Sequence, residues 1–332
     1  MKLMISELKD RSRYTSREAA YIIRELIDNY GWSQIETEYL HFSSGSLESL
    51  LLGKFGQLPK VILFWEGYYL LKKRRREIEA LDCDKYILCD DLHDGEDETI
   101  KDKLESFSMF HTILSTYGYV FYEYYAELAA THKVFWVPHS ASPDFLLTYN
   151  EHPENAVFLS GVVNHYYPLR LRVKALADSG VFPIVLHRHP GYRCDFDYDA
   201  SPSVGREYAR KINNYRAAFT DSSKYKYSVA KYFEIPATGA LLLADLSISE
   251  PLRSLGFVEG VNYIGVTDHD LEEKIAYVLD ESNYDELDMI RRNGQDLVWQ
   301  THKTTDRARL IDEICSYGPS VSIRVAGSNL TL

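Results

Sequence analysis

Short apolar runs and amphipathic stretches alternate in two successive series along this chain, and that rhythm restricts its fold more than any other feature. In residues 1–150 the strand-like runs are Lys2–Ser6, Glu36–Phe42, Val61–Trp65, Lys85–Cys89, Thr112–Ser115 and Val134–Val137. Helical patterns separate them at Ser16–Asn29, Ser46–Lys54, Tyr69–Ala80 and Glu98–Phe107, before a Tyr-rich segment at Glu123–Thr131. A second series starts after Glu151, with strands expected at Val157–Ser160, Phe182–His187, Ala217–Asp221, Ala240–Ala244 and Tyr263–Val266. Its helices are expected at Leu169–Ser179, Gly205–Asn213, Val229–Thr238, Asp270–Asp280 and Asp285–Thr301. Such alternation predicts an α/β chain with doubly wound parallel sheets. The seam falls at 138–153, which is rich in Pro, Ser, His and Asn. The expected domains are therefore 1–150 and 151–315, with a tail of unassigned role at 316–332.

Composition narrows the function classes. A length of 332 residues suits two domains of ordinary size, and 45% hydrophobic with 26% charged residues is typical of globular chains. No apolar run approaches the roughly 20 residues of a membrane span, and the N-terminus lacks a signal-peptide core. Cys83, Cys89, Cys194 and Cys315 have neither CxxC nor zinc-like spacing, which favours reduced thiols and a cytoplasmic location. The net charge of −12 opposes broad nucleic-acid binding. The strong basic cluster, Lys72, Lys73, Arg74, Arg75 and Arg76, is a solvated helix face or a dock for an anionic membrane surface or an anionic acceptor. The 26 tyrosines are a high share, with flat faces and hydroxyls suited to carbohydrate, although composition does not place them.

Residues 224–245, KYKYSVAKYFEIPATGALLLAD, carry the most chemistry. They read as a polar loop, a short helix bearing Glu234, a Thr238-Gly239 stop and a buried strand. A loop entering a helix N-terminus presents backbone N–H groups and a positive dipole end, which seat phosphate. Lys224, Lys226 and Lys231 add positive charge, and Glu234 is placed to accept hydrogen bonds from two ribose hydroxyls. Diphosphate beside ribose points to a nucleotide-sugar.

The same segment resembles the donor-site signature of GT-B glycosyltransferases of the group 1 kind, especially the branch similar to the spore-maturation protein CgeB. There a serine-containing loop leads into a helix of the form R-x-F-E-x-x-A-x-G. Lys231, Phe233, Glu234, Ala237 and Gly239 stand at the matching places, with Ser223 upstream. Many members carry a second glutamate eight positions earlier, where this chain has Lys226. The resemblance implies two Rossmann-like domains facing a cleft, the first presenting the acceptor and the second holding a UDP- or GDP-sugar. It implies transfer of that sugar to an acceptor hydroxyl of a glycan or glycoconjugate, without metal or other cofactor, and with retention. Phosphate would fall to Ser228 at the helix start, Lys231 and Arg170, and ribose to Glu234.

Ligands in such sheets sit beyond the carboxyl ends of the strands, so residues that follow each strand are the remaining candidates. In the second half these are Ser160-Gly161 with Asn164 and Arg170 or Arg172, a turn and a guanidinium fork beside diphosphate. The run from His187 through Arg188 to Gly191 offers nucleotide or sugar contacts. In the first half, Asp90, Asp91 and His93 follow one strand and have the makings of an imidazole oriented by a carboxylate. An acidic run of no catalytic meaning explains them equally. Glu66 is a second candidate base and His139 a third. Were the reaction inverting, Asp91 or His93 would serve as base; with retention both would only position the sugar.

One motif favours a rival. Asp195, Asp197 and Asp199 have the DxD spacing by which GT-A enzymes hold a divalent metal, but nothing else in the chain follows that pattern. Two other classes stay open: a non-catalytic sugar-nucleotide or glycan-binding protein with a degenerate site, and a sugar-nucleotide epimerase that needs no acceptor. A DNA-modifying glucosyltransferase is a narrower variant opposed by the net charge.

Overall fold

The run Val61–Trp65 is apolar at every position because both faces of its strand are covered. Ile62 and Phe64 enter one core with Leu3, Ile5 and Ile87, while Leu63 and Trp65 enter another with Met4, Leu88 and Leu114. Burial on two sides is what a parallel sheet flanked by helices requires. The structure, a computed structural model, describes residues 1–93, 103–318 and the strand residues 324–325 and 328–329. The predicted helix at Glu98–Phe107 lies partly outside the described residues, as do the acidic run after His93 and most of the tail.

Six parallel strands form the first sheet: β1 (Lys2–Ser6), β2 (Trp32–Glu36), β3 (Val61–Trp65), β4 (Asp84–Cys89), β5 (Thr112–Ser115) and β6 (Lys133–Trp136). Their order is β2-β1-β3-β4-β5-β6. The second sheet has β7 (Glu154–Gly161), β8 (Ile184–Arg188), β9 (Tyr215–Thr220), β10 (Leu241–Asp245) and β11 (Ile264–Val266), in the order β11-β10-β9-β7-β8. In both sheets the order reverses beside the first strand, so each has a topological switch point, between β1 and β3 and between β7 and β9. Ligand crevices form outside the carboxyl ends of strands at such points.

Two expectations need correction. The strand predicted at Glu36–Phe42 is instead β2 at Trp32–Glu36, followed by a short helix at Thr37–Phe42. Gly31 takes a left-handed φ of 68° and closes the Glu18–Tyr30 helix, so the chain enters the sheet at once, with Ile35 beside Ile5. The short helix is then held by Arg74, whose guanidinium donates to the carbonyls of Leu40, Ser43 and Gly45.

The second correction concerns the end of the chain. Residues 304–317 form a helix that sequence reading left unassigned within the second half. It leaves that half and packs on the first sheet, with Ala308, Ile311, Ile314 and Cys315 sharing a core with Ile22, Ile23 and Leu26. Lys2 and Asp312 pair at its outer edge. Among the described residues the chain thus crosses between the halves twice, and the crossings meet. Ala141 donates to the carbonyl of His302 at 2.8 Å, and Thr304 donates back to the carbonyl of Ala141 at 3.1 Å. Arg307 fastens the junction by donating to the carbonyl of Pro138 at 2.8 Å and reaching His302 Nδ1 at 2.6 Å.

Candidate active site

The two switch points face each other across a cavity of about 650 Å³, lined from both halves. That volume is within the range of small-molecule sites. The second half contributes a glycine turn, an arginine, a lysine and a glutamate that converge. At Gly161 φ is +98°, and a Cβ there would lie 2.8 Å from Arg170 Nη1 and 3.0 Å from Lys231 Cε. Only glycine leaves room for both cations beside the turn. Lys231 opens the Lys231–Ala237 helix, its ammonium 5.4 Å from the centre of the Tyr208 ring and 4.0 Å from Glu234 Oε2. Burial would lower the lysine pKa, but Tyr208 and Glu234 outweigh that and raise it. Glu234 faces the cavity with only 6% exposure. Burial raises its pKa against the pull of Lys231.

Arg170 is less available than its sequence position implies. Its Nε lies 3.0 Å from Asp221 Oδ1, Nη2 donates to Thr220 Oγ1 at 3.0 Å, and the guanidinium stacks 3.9 Å from the Tyr167 ring. The remaining nitrogen, Nη1 beside Gly161, donates to the carbonyl of Val162 at 3.2 Å. Arg172 pairs with Asp268 on the surface instead. Asn164 and Ser223 line the cavity, and Ser223 holds an uncommon φ of 61°. Five predicted binding residues stand elsewhere. Thr238 donates to the carbonyl of Ile235 and Gly239 turns at φ 87° against the Tyr149 ring, so both serve to end the helix. Arg188 is exposed and outside the cavity lining, where His187, His189 and Pro190 stand instead. The Lys226 side chain is exposed, while its amide donates to the carbonyl of Ser223 and its carbonyl accepts from Tyr119. Ser228 is fully buried and outside the cavity lining.

In the first half an imidazole oriented by a carboxylate does exist, but on other residues. His93 meets the Tyr227 hydroxyl with Nδ1 at 3.1 Å and lies flat on the Tyr225 ring at 3.5 Å. His139 Nδ1 instead lies 2.7 Å from Glu18 Oε2, while its Nε2 is 3.0 Å from the Tyr117 hydroxyl and 3.8 Å from Asp90 Oδ1. Glu18 is aimed by Ser140, whose amide and hydroxyl both donate to Oε1. Burial would depress His139, but the charge and hydrogen bond of Glu18, helped by Asp90, raise its pKa to about 9. It therefore carries a proton at neutral pH.

Asp91 opens on the cavity; enclosure, then the carboxylates of Asp90 and Glu66, raise its pKa to about 7. Glu66 itself is ion-paired with Arg11 at 2.6 Å and is absent from the cavity lining, which argues against its being the base. Glu18 and Tyr117 were invisible to sequence reasoning, since each meets His139 across a large sequence separation.

Two loops of the second half lie on the first and narrow the cavity. In one, Thr15 donates to the carbonyl of Gly191 and the Arg17 guanidinium stacks 3.7 Å from the Tyr198 ring. This loop contains the DxD acids. Asp195 pairs with Arg193, and Asp197 caps the turn by accepting from the amide of Asp199. Among the described residues no group of three or more His, Cys, Asp and Glu side chains is arranged to hold a metal ion. The other loop, 222–229, carries Tyr225 and Tyr227.

The basic run is not a uniform surface either. Arg74 is buried and Arg75 pairs with Glu79, which leaves Lys72, Lys73 and Arg76 exposed. No helix among the described residues is long and apolar enough to cross a membrane.

Comparison with known structures decides the architecture. A sucrose-phosphate synthase from Thermosynechococcus elongatus superposes with a TM-score of 0.62 at 9% identity, over 95% of this chain and 98% of that one. The Anabaena protein HepE, solved with UDP and glucose, gives 0.59 at 10% identity over 96% and 100%. An alpha-glucosyltransferase solved with UDP and a 13-mer DNA gives 0.58 at 10% identity over 95% and 99%. The fold is GT-B. Within it, residues 173–313 match the profile of a family described as glycosyl transferase-like. That span covers Lys231 and Glu234. No curated protein matches the chain.

Proposed function

We propose that this protein is a glycosyltransferase that moves a sugar from a nucleoside-diphosphate sugar to an acceptor hydroxyl. The observation that carries the reading is the joint placement of Lys231 and Glu234. One short helix presents both to the cavity between the halves, beside a turn that only glycine can make. Lys231, with the charge of Arg170 beside it, neutralises diphosphate, and Glu234 accepts from the two ribose hydroxyls. Preorganised charge aimed at a departing diphosphate is usually the largest catalytic contribution. The family match over 173–313 and the shared fold with proteins solved with UDP support the same reading.

The finer assignments belong to this proposal. The donor is a UDP- or GDP-sugar, the transfer retains configuration and needs no metal, and the resemblance around Glu234 supports membership of the CgeB-like branch. In a retaining reaction Asp91 and the protonated His139 position the donor sugar instead of acting as base. The first half, residues 1–150, presents a glycan or glycoconjugate acceptor, and residues 151–315 hold the donor apart from the returning helix. Peripheral contact with an anionic membrane through Lys72, Lys73 and Arg76 is tested by sedimentation with anionic vesicles. Thermal-shift screening against UDP-, GDP- and dTDP-sugars tests the central reading, since a ligand that binds only the native state raises the melting temperature. A donor should stabilise the wild type and have little effect on Glu234→Ala; no shift with any of them refutes the assignment.

A further inference from the structure

We propose that Tyr227 is a positioning residue that holds the Asp91–His93 turn of the first half in register with the Lys231–Glu234 helix of the second. The inference rests on the glycosyltransferase reading for its catalytic meaning, but its geometry stands by itself.

Tyr227 belongs by sequence to the donor loop, yet its ring is buried in the core of the first half with Leu92, Phe107, Phe121 and Tyr125. It lies on Tyr117 with centroids 3.8 Å apart and planes within 4°. Its hydroxyl accepts from the backbone N–H groups of both Leu92 and His93, each at 3.1 Å. Tyr125 holds the other side of the same turn by donating to the carbonyl of Leu92 at 2.8 Å. Asp91 immediately precedes these amides, so its direction into the cavity depends on where Tyr227 stands.

The loop that delivers Tyr227 is fastened at a second point. The Tyr119 hydroxyl donates to the carbonyl of Lys226 at 2.6 Å and accepts from the amide of Ser228 at 2.7 Å. Ser223 and Lys226 both take left-handed backbone angles, at φ 61° and 55°, which residues other than glycine adopt only when their surroundings impose them. Lys231 follows Ser228 within one helical turn, and Lys231 and Glu234 share one helix. Any displacement of that helix by a bound nucleotide is therefore passed through Tyr227 to the amides beside Asp91. A side chain that merely filled the core would not need two amide contacts on the opposing loop.

Residue-resolved hydrogen exchange tests this on the full chain, with Tyr227→Phe keeping the ring and removing the hydroxyl. Without ligand, the Leu92 and His93 amides should exchange about tenfold faster in the variant, since each loses its acceptor. Saturating UDP or GDP should slow those two amides in the wild type by about threefold or more and leave them unaffected in Tyr227→Phe, with nucleotide affinity within about twofold. Unchanged exchange in the unliganded variant, or a nucleotide effect that survives the substitution, overturns the proposal. Should Tyr227→Phe fail to fold, Tyr119→Phe releases the same loop and leaves the Tyr227 hydroxyl in place. Its unliganded amides should match the wild type and the nucleotide effect should disappear; persistence of that effect again overturns the coupling. If the wild type binds neither nucleotide, the donor reading fails alone, and the unliganded comparison still decides whether Tyr227 holds the turn.

Discussion

Glu18 Oε2 lies 2.7 Å from His139 Nδ1, and this contact sets the charge at the floor of the cleft. The imidazolium is stabilised by Glu18 and Asp90 on either side, with the Tyr117 hydroxyl between, so its pKa stands near 9. Asp91, by contrast, gains its negative charge only above about pH 7. If turnover needs ionised Asp91 and cationic His139, activity rises as pH passes about 7 and falls as it passes about 9. Glu18→Gln removes the charge that holds the proton on His139, so the alkaline limb should move to lower pH while the acid limb stays. An alkaline limb unmoved in a pH–rate profile of Glu18→Gln would falsify the role of this pair.

The same pair acts on stability with a definite sign. A histidine whose pKa is raised from 6.5 to about 9 by folding contributes its full stabilisation below about pH 6.5 and loses it as pH rises through 9. Glu18→Gln should therefore lower the melting temperature more at pH 6 than at pH 9.5. Equal losses at the two pH values, measured by calorimetry, would assign the effect to packing.

Glu234→Ala should leave the fold intact and weaken nucleotide binding by one to two orders of magnitude, about 1.5–3 kcal/mol for hydrogen bonds to a charged acceptor. Isothermal titration with UDP and GDP reads this directly. Wild-type affinity in the variant would remove Glu234 from the ribose site.

For Lys231→Ala the expected result is weaker binding of the diphosphate together with slower turnover. The distinguishing measurement is salt dependence, because a lost cation–phosphate contact reduces the sensitivity of affinity to ionic strength. A variant with the wild-type rate would make Lys231 a bystander.

Gly161→Ala imposes both a left-handed backbone on alanine and a Cβ at 2.8 Å from Arg170 and 3.0 Å from Lys231. Destabilisation of about 1–3 kcal/mol should accompany loss of nucleotide affinity, as Lys231 is pushed from the turn. A melting temperature and affinity both equal to wild type would show that the turn tolerates a side chain.

Much of the architecture was readable because parallel strands buried on both faces leave uninterrupted apolar runs, as in Val61–Trp65 and Ala240–Ala244. The β2 segment was misplaced because Tyr39, Leu40 and Phe42 read locally as a short apolar run, whereas the deciding signals were the glycine stop at Gly31 and the distant grip of Arg74. Lys231 and Glu234 could be found because both sit in one local motif. Glu18, Tyr117 and Tyr227 could not, since each acts on a residue brought close only by the tertiary fold. The run from Lys72 to Arg76 shows the same limit in reverse: a local cluster of charge loses Arg74 to three backbone carbonyls.

The paired crossings at Ala141 and Thr304 have a mechanical result. One covalent tether would let two bodies swivel in every direction, but two tethers bonded to each other define an axle. Relative motion of the halves is then reduced to a bend about the line through Ala141, His302 and Thr304. Spin labels on opposite lips of the cleft should report a single angular coordinate, however many nucleotides or acceptors are tried.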